Sequence, residues 1–349
     1  MLKLCIALLA VAAMAPGPAL ATSTGSLAFI TRAPGAAFDT EVAMFNLSTG
    51  RVLPVARLPS SLESTIAVQS ACLTSDNHYV FAMQYTQAQG VGRVIEIDLS
   101  SGKTIKSFNT SVVCLSLLCS GHSPTSVTCA SESSDGGLSV SDIDLATEGP
   151  SKLTGSFGTG LAVSRLYSWD TLNTTLFTLL ASPPRWPFSG IYLVKYDFGS
   201  NSGVVGNSTM EYGTGAWFMT SITASYGTQD DGSVQSTTSL AQFKLLATAE
   251  QLGTGDKAFG SFNFGEKQAG FTPCASVKLL DGYQQLDSVS AAANGFYFTT
   301  AFEKVSQGTR SGPPQLYLLV IDIAADEVAE RFALESPMID IQWVPPPLL

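Results

Sequence analysis

Two histidines, His78 and His122, are all the imidazole this chain of 349 residues can offer to acid–base or metal chemistry. A Ser-His-Asp type hydrolase would have to recruit one of them. Each sits among turn-forming neighbours, His78 between Asn77 and Tyr79 and His122 after Gly121, so both read as solvated turn residues. The sequence also lacks a G-x-S-x-G elbow, a G-x-x-x-x-G-K-S/T phosphate loop, a G-x-G-x-x-G fingerprint and an H-E-x-x-H pair. Hard oxygen ligands are better supplied. Glu63, Asp76, Asp170, Asp230, Asp231 and Asp287 are carboxylates that could line a calcium site. None falls into an EF-hand series, so no cofactor is predicted, and a calcium ion in a central tunnel stays as the metal alternative. Such an ion would polarise a carbonyl and acidify a water, as a lactonase or esterase needs.

The strongest binding signature is Ser182-Pro183-Pro184-Arg185-Trp186-Pro187-Phe188-Ser189. Prolines stiffen the segment, so Arg185, Trp186 and Phe188 lose little entropy on meeting a partner, and arginine with large aromatics is the composition of binding hot spots. These three residues are the expected ligand- or partner-binding site. Asn46, Asn109, Asn173 and Asn207 each open an N-x-S/T triplet and are the expected glycosylation sites.

The compartment follows from the first residues. Lys3, an apolar run from Leu4 to Met14 and the small-residue end Ala19-Leu20-Ala21 make a secretory signal peptide over 1–21, with cleavage after Ala21. No later apolar run is long enough to span a bilayer. Removing Cys5 leaves Cys72, Cys114, Cys119, Cys129 and Cys274. An odd number in an oxidising compartment leaves one thiol over or pairs it between chains. Three of the five crowd between 114 and 129, where one local bridge is expected; a zinc site built on Cys-x4-Cys and His122 is weakly supported. A net charge of −10 excludes a basic nucleic-acid footprint. Charged residues at 13%, against the usual ~25%, with 45% hydrophobic residues, describe a folded chain with much buried surface.

The elements that must carry these residues repeat. An apolar, β-prone run ends in Asn or Asp, a hydrophobic residue and turn residues at Asn46, Asp98, Asp144, Asp197, Asn263 and Asp322, steps of 52, 46, 53, 66 and 59 residues. The side chain can accept a main-chain N–H two residues on, and a following glycine takes positive φ. Each turn therefore joins two antiparallel strands. Thr65–Cys72, Tyr79–Tyr85, Arg93–Asp98 and Thr104–Phe108 supply four strands in one period. Phe157-Gly158-Thr159-Gly160 and Tyr212-Gly213-Thr214-Gly215 each precede an expected innermost strand, whereas Gly253-Thr254-Gly255 falls out of phase.

Four-stranded units of this size stack radially into a propeller. The reading is all-β: a single β-propeller domain over 22–349, of six four-stranded blades, with seven as the alternative. The N-terminus contributes three strands, Ser26–Thr31, Glu41–Phe45 and Arg51–Ala56, so the C-terminal strand Met338–Val344 must complete their blade.

The stretch Leu73-Thr74-Ser75-Asp76-Asn77-His78-Tyr79-Val80-Phe81, followed by Val94-Ile95-Glu96-Ile97-Asp98-Leu99-Ser100-Ser101-Gly102-Lys103, resembles the YVTN-type repeat of secreted surface and quinoprotein-like propellers. One unit matches well and the others at their turn; Trp169-Asp170 is expected between strands, unlike the strand-end position of WD40 repeats. The resemblance implies a propeller and leaves activity open. A secreted, non-enzymatic scaffold for a protein or glycan ligand is the favoured function. A calcium-dependent hydrolase, a quinoprotein-like oxidoreductase and a structural surface or matrix component are the alternatives.

Overall fold

The computed structural model describes residues 25–344 other than 33–39, 59–65, 75, 77, 86–91, 111–113, 120–124, 133–137, 158–161, 172–173, 183–190, 198–202, 211–216, 226–243, 252, 265–268, 275–279, 294 and 305–313, with the backbone alone between 149 and 220. All described elements are strands. The first three are β1 (Ser26–Arg32), β2 (Thr40–Asn46) and β3 (Arg51–Leu58). A second set is β4 (Ile66–Leu73), β5 (His78–Tyr85), β6 (Gly92–Asp98) and β7 (Lys103–Thr110). A third is β8 (Cys114–Cys119), β9 (Ser126–Glu132), β10 (Leu138–Asp144) and β11 (Gly149–Phe157). A fourth is β12 (Ala162–Thr171), β13 (Thr174–Ser182), β14 (Ile191–Asp197) and β15 (Gly203–Met210). A fifth is β16 (Trp217–Ser225), β17 (Lys244–Gln251), β18 (Lys257–Phe264) and β19 (Ala269–Pro273). The last are β20 (Tyr283–Ala293), β21 (Phe296–Glu303), β22 (Leu316–Asp322), β23 (Glu327–Leu334) and β24 (Ile339–Val344).

These strands form six antiparallel four-stranded sheets among the described residues, each in simple up-and-down order except that β24 lies beside β1. The first strand of each sheet, β24, β4, β8, β12, β16 and β20, touches the first strands of the sheets on either side, and the series returns to β24. The sheets are thus blades of a propeller. The seven-blade alternative finds no seventh sheet among the described residues.

A blade is covered on both faces by its neighbours, so its middle strands can be apolar throughout instead of alternating. Both β6 and β22 are buried through four consecutive residues, Val94–Ile97 and Leu318–Ile321, all apolar except Glu96. The cores lie between blades. Phe29, Phe45 and Ile341 of the first blade pack with Phe298, Leu318 and Val320 of the last, and Ile30 and Val42 pack with Tyr79, Ile95 and Ile97 of the next.

The turns are built as the Asn/Asp spacing requires. Asp98, Asp144 and Asp322 each accept the main-chain N–H two residues on, from Ser100, Ala146 and Ala324, at 2.7–2.8 Å. Asn46 instead accepts from Thr49 at 3.0 Å. The Ser100 hydroxyl foremost, helped by Ser101, holds the Asp98 carboxyl far below the usual range. The fourth turn residue takes positive φ. Glycine does so at Gly50 and Gly102, but Glu148 and Asp326 adopt φ of 59° and 55° in the same place, so glycine is not obligatory. At Gly102 a second constraint applies, since a Cβ would fall 2.2 Å from the Val55 carbonyl oxygen of the preceding blade.

Three sequence expectations change. Trp169 and Asp170 lie inside β12, opposite Leu176 and Thr175, because the β12–β13 connection is shorter than the turn signals suggested. Gly253-Thr254-Gly255 joins the second and third strands of the fifth blade, with φ of 99° and 73° at its glycines, which explains why it is out of phase with the two copies that precede innermost strands. Beyond the local bridge Cys114–Cys129, a second bridge Cys72–Cys119 joins the innermost strands of two blades; Cys274 enters neither. On chain-entropy grounds loops of 47 and 15 residues correspond to about 4 and about 3 kcal/mol.

Ring closure is made by β24. It pairs with β1 from Ser26↔Val344 to Ile30↔Ile339, with an irregularity that leaves Asp340 out of register. Asp340, at φ 61°, turns its buried carboxylate to the next blade, where Oδ2 accepts the Ala71 N–H at 2.7 Å. Gln342 Nε2 donates to the Ala71 carbonyl at 3.1 Å and to Asp340 Oδ1 at 3.0 Å. Both main-chain groups of Ala71 at the inner edge of β4 are therefore served by side chains from β24.

Asp340→Ala should lower the free energy of unfolding by about 1–3 kcal/mol, since a buried N–H loses its acceptor, with Asp340→Asn milder; urea unfolding checks this. For a chain cut after Ala21, thiol titration in denaturant is expected to find one thiol without reductant and all five with it.

Candidate functional site

The up-and-down order sends the connections between second and third strands to one end of the ring. They are residues 33–39, 86–91, 133–137, 183–190, 252–256 and 304–315. Arg185, Trp186 and Phe188 lie outside the described residues, as do Asn173 and His122. Their anchors are described: β13 and β14 pair antiparallel from Leu176↔Asp197 to Ala181↔Tyr192. The strand ends that flank 183–190, Ser182 of β13 and Ile191 of β14, lie at that end of the ring.

On the same end, β17 and β18 are joined by the Gly253–Asp256 turn, closed by Gly255 N–H to the Gln251 carbonyl at 3.0 Å and Gln251 N–H to the Asp256 carbonyl at 2.7 Å. Lys257 is buried beneath it. Its ammonium donates to the Gly255 carbonyl at 3.2 Å and lies 3.6 Å from Glu250 Oε2, so the charge is neutralised within the turn.

The opposite end holds a cluster that the sequence reading missed. His78 is the first residue of β5, not a solvated turn residue, and its Nδ1 lies 2.8 Å from Oε1 of Glu96 and 3.5 Å from Oδ2 of Asp76. Glu96 is 5% exposed. A buried carboxylate needs a charge-assisted donor, and the imidazole N–H supplies it. The Thr74 hydroxyl is engaged with Asp76 and the main chain of His78, so it is held as a bracket for the β4–β5 turn and not as a nucleophile.

The signal for this pair is positional. Counting back from the turn aspartates, Glu96 occupies the place that the fully buried Val320 fills in the last blade, and Asp142 has the same place in the third blade, where it accepts the Thr128 hydroxyl at 3.0 Å. A carboxylate at a core position of the third strand is thus answered by a donor on the second. The His78–Glu96 pair has the base-and-orienter half of a triad. Its geometry serves packing: it ties β5 to β6 where the equivalent residues of another blade are apolar.

Of the carboxylates considered for calcium, Glu63, Asp230 and Asp231 lie outside the described residues, and so do the side chains of Asp170 and Asp287. Asp76 belongs to the His78 cluster. Among the described residues no group of three or more His, Cys, Asp and Glu is arranged to hold a metal ion. No helix there is long and apolar enough to cross a membrane.

No family model and no curated protein matches the chain. Among solved structures it is similar to the Dos1 propeller, at 12% identity and a TM-score of 0.41, over 87% of this chain and 67% of that one. It is also similar to a protein of Bacteroides fragilis NCTC 9343 described as a candidate 6-phosphogluconolactonase, at 10% identity and a TM-score of 0.45, over 94% and 99% of the two chains. A protein from Lactobacillus plantarum is similar at 9% identity and a TM-score of 0.46, over 92% and 99%.

His78→Ala should cost about 1–3 kcal/mol by leaving Glu96 buried without its imidazole, and adding Glu96→Leu should recover part of the loss. Thermal and urea unfolding of the single and double variants measure both effects.

Proposed function

We propose that this protein is a secreted propeller that binds a protein or glycan ligand at the end of the ring bearing the second-to-third strand connections, with Arg185, Trp186 and Phe188 as its anchors. The observation that carries the reading is the β13–β14 pairing, which brings the two strand ends flanking 183–190 to that end of the ring. A rigid ring holding such a segment fits recognition by preorganised anchors. The composition of the segment supports it further, because a tryptophan and an arginine flanked by prolines give large contact area for little entropy. Two disulfides support an oxidising compartment. The predicted signal peptide at 1–21 agrees with it, although those residues lie outside the described ones.

The expected result on a printed glycan array, or by photo-crosslinking in culture medium from position 188, is a ligand whose affinity falls by roughly thirtyfold in Trp186→Ala, the loss of a hot spot worth about 2 kcal/mol. Elemental analysis of the same preparation provides the competing outcome. About one divalent ion per chain, with a melting temperature that drops on chelation, would favour the calcium-dependent hydrolase over the binder.

A further inference from the structure

A propeller has six outer strands, each paired on one side only, and an open edge invites pairing with another chain. Four of the six edges here carry a device against this in their sequence. Proline, which lacks a donor, interrupts β3 at Pro54, β11 at Pro150 and β19 at Pro273. The β23 edge carries Glu327, Glu330 and Arg331. Two edges remain. In β7 both lysines, Lys103 and Lys106, fall in the first half, leaving Ser107–Thr110 without charge or proline. Throughout β15, Gly203–Met210, there is neither. Those two stretches are where Asn109-Thr110-Ser111 and Asn207-Ser208-Thr209 occur.

We infer that Asn109 and Asn207 carry N-linked glycans that close the β7 and β15 edges to strand addition. The inference rests on the secreted reading above. Asn109 is exposed between Phe108 and Thr110, which are buried with only 7% and 4% exposure, so its amide points away from the packed face. The hazard on this side is visible too: the exposed large hydrophobics among the described residues, Val52, Leu53 and Ile105, lie on β3 and β7, outer strands of neighbouring blades. Ile105 and Asn109 are both exposed on β7, Ile105 as the extra residue at an irregularity between Thr104 and Lys106.

The triplet at Asn46 has another explanation. Asn46-Leu47-Ser48 opens a turn in which the Asn46 amide oxygen accepts from the Ser48 hydroxyl at 2.7 Å and the Thr49 N–H at 3.0 Å. Asp98-Leu99-Ser100 makes the corresponding hydroxyl bond at 2.6 Å with a residue that cannot be glycosylated. The turn therefore accounts for Asn46, while nothing in a strand edge requires an asparagine at 109 or 207.

The modification consumes a lipid-pyrophosphate-linked oligosaccharide in the secretory pathway. Asn Nδ2 bonds to the anomeric carbon of the first sugar, the carbon–oxygen bond to the pyrophosphate breaks, and the lipid pyrophosphate leaves with that electron pair. Nδ2 gives up one proton, and no group is oxidised or reduced.

The test uses full-length protein secreted from a eukaryotic host. Amino-terminal sequencing reports cleavage after Ala21, and release of glycans by peptide-N-glycosidase in heavy-oxygen water labels every occupied asparagine for peptide mapping. Labelled Asn109 and Asn207 are expected. A secreted, cleaved chain with both asparagines bare would overturn the glycan inference and leave secretion standing, whereas an uncleaved chain retained in the cell would sink both. For the edge role, Asn109→Gln with Asn207→Gln, and independently Ser111→Ala with Thr209→Ala, should self-associate on sedimentation, with a dimer or larger fraction that rises with concentration. Trimming of the folded wild-type protein by an endoglycosidase that leaves one N-acetylglucosamine on each asparagine, and so introduces no charge, repeats the measurement without refolding. Bare protein that sediments as the same monomer as the glycosylated form would overturn the edge role.

Discussion

Closing the ring is the constraint on which the rest of this fold depends. Every blade buries its two faces against its neighbours, so an open ring would leave two faces in water, including Phe29, Phe45, Phe298 and Leu318, all at 2% exposure or less. The chain closes by sending its last strand back to its first three, a contact spanning nearly the whole sequence and entropically demanding to form. Hydrogen bonding along β1 supplies one side of the closure. The out-of-register Asp340 supplies the other. Positive φ is tolerable at aspartate, whose short polar side chain bonds locally, and it turns the carboxylate to Ala71. The Thr31 hydroxyl adds a bond to the Pro337 carbonyl at 3.0 Å.

This dependence explains what could be read from the sequence. In the four described outer turns the chemistry is local, a carboxylate or amide accepting an N–H a few residues on, and all six Asn/Asp positions fall at or next to the end of a third strand. The closure was legible as well, because three strands at the start and a single one at the end leave no other complete sheet. The His78–Glu96 pair was not. In sequence His78 follows four polar residues and looks like a turn; only when the β5 and β6 registers are laid beside those of β21 and β22 does Glu96 fall on a core position. Cys72–Cys119 escaped for a related reason. It crosses from one blade to the next, and the meeting of innermost strands depends on the ring, not on spacing along the chain.

Low charge has the same origin. Blades covered on both faces need long apolar runs, and the strands left to face water are the outer ones, where β23 alternates exposed and half-buried residues as a one-sided strand should. Several polar groups that enter the interior are satisfied there by one another or by their own turn. Ser221 sits 2.6 Å from the Thr248 hydroxyl and 2.7 Å from the Tyr297 phenol of the adjoining blade, and Lys257 is held by its own turn. Each meets the requirement that a buried polar group find a partner.

The joints between blades are nevertheless not alike, and this is where a repeating ring acquires individuality. Between the first and second blades the joint is the Asp340–Gln342–Ala71 clasp, between the second and third a disulfide, between the fifth and sixth the Ser221–Tyr297 hydroxyls, and between the sixth and first the stacking of Phe298 on Trp343 at 5.7 Å. A covalent joint cannot separate while oxidised, whereas a clasp of hydrogen bonds and a stacked aromatic pair can. Among the described side chains the closure blade is held by the clasp on one side and aromatic packing on the other, with no covalent link to either neighbour. It is also the blade assembled from both ends of the chain. The Cys72–Cys119 staple, by contrast, keeps the second and third blades joined whatever the state of the clasp beside it.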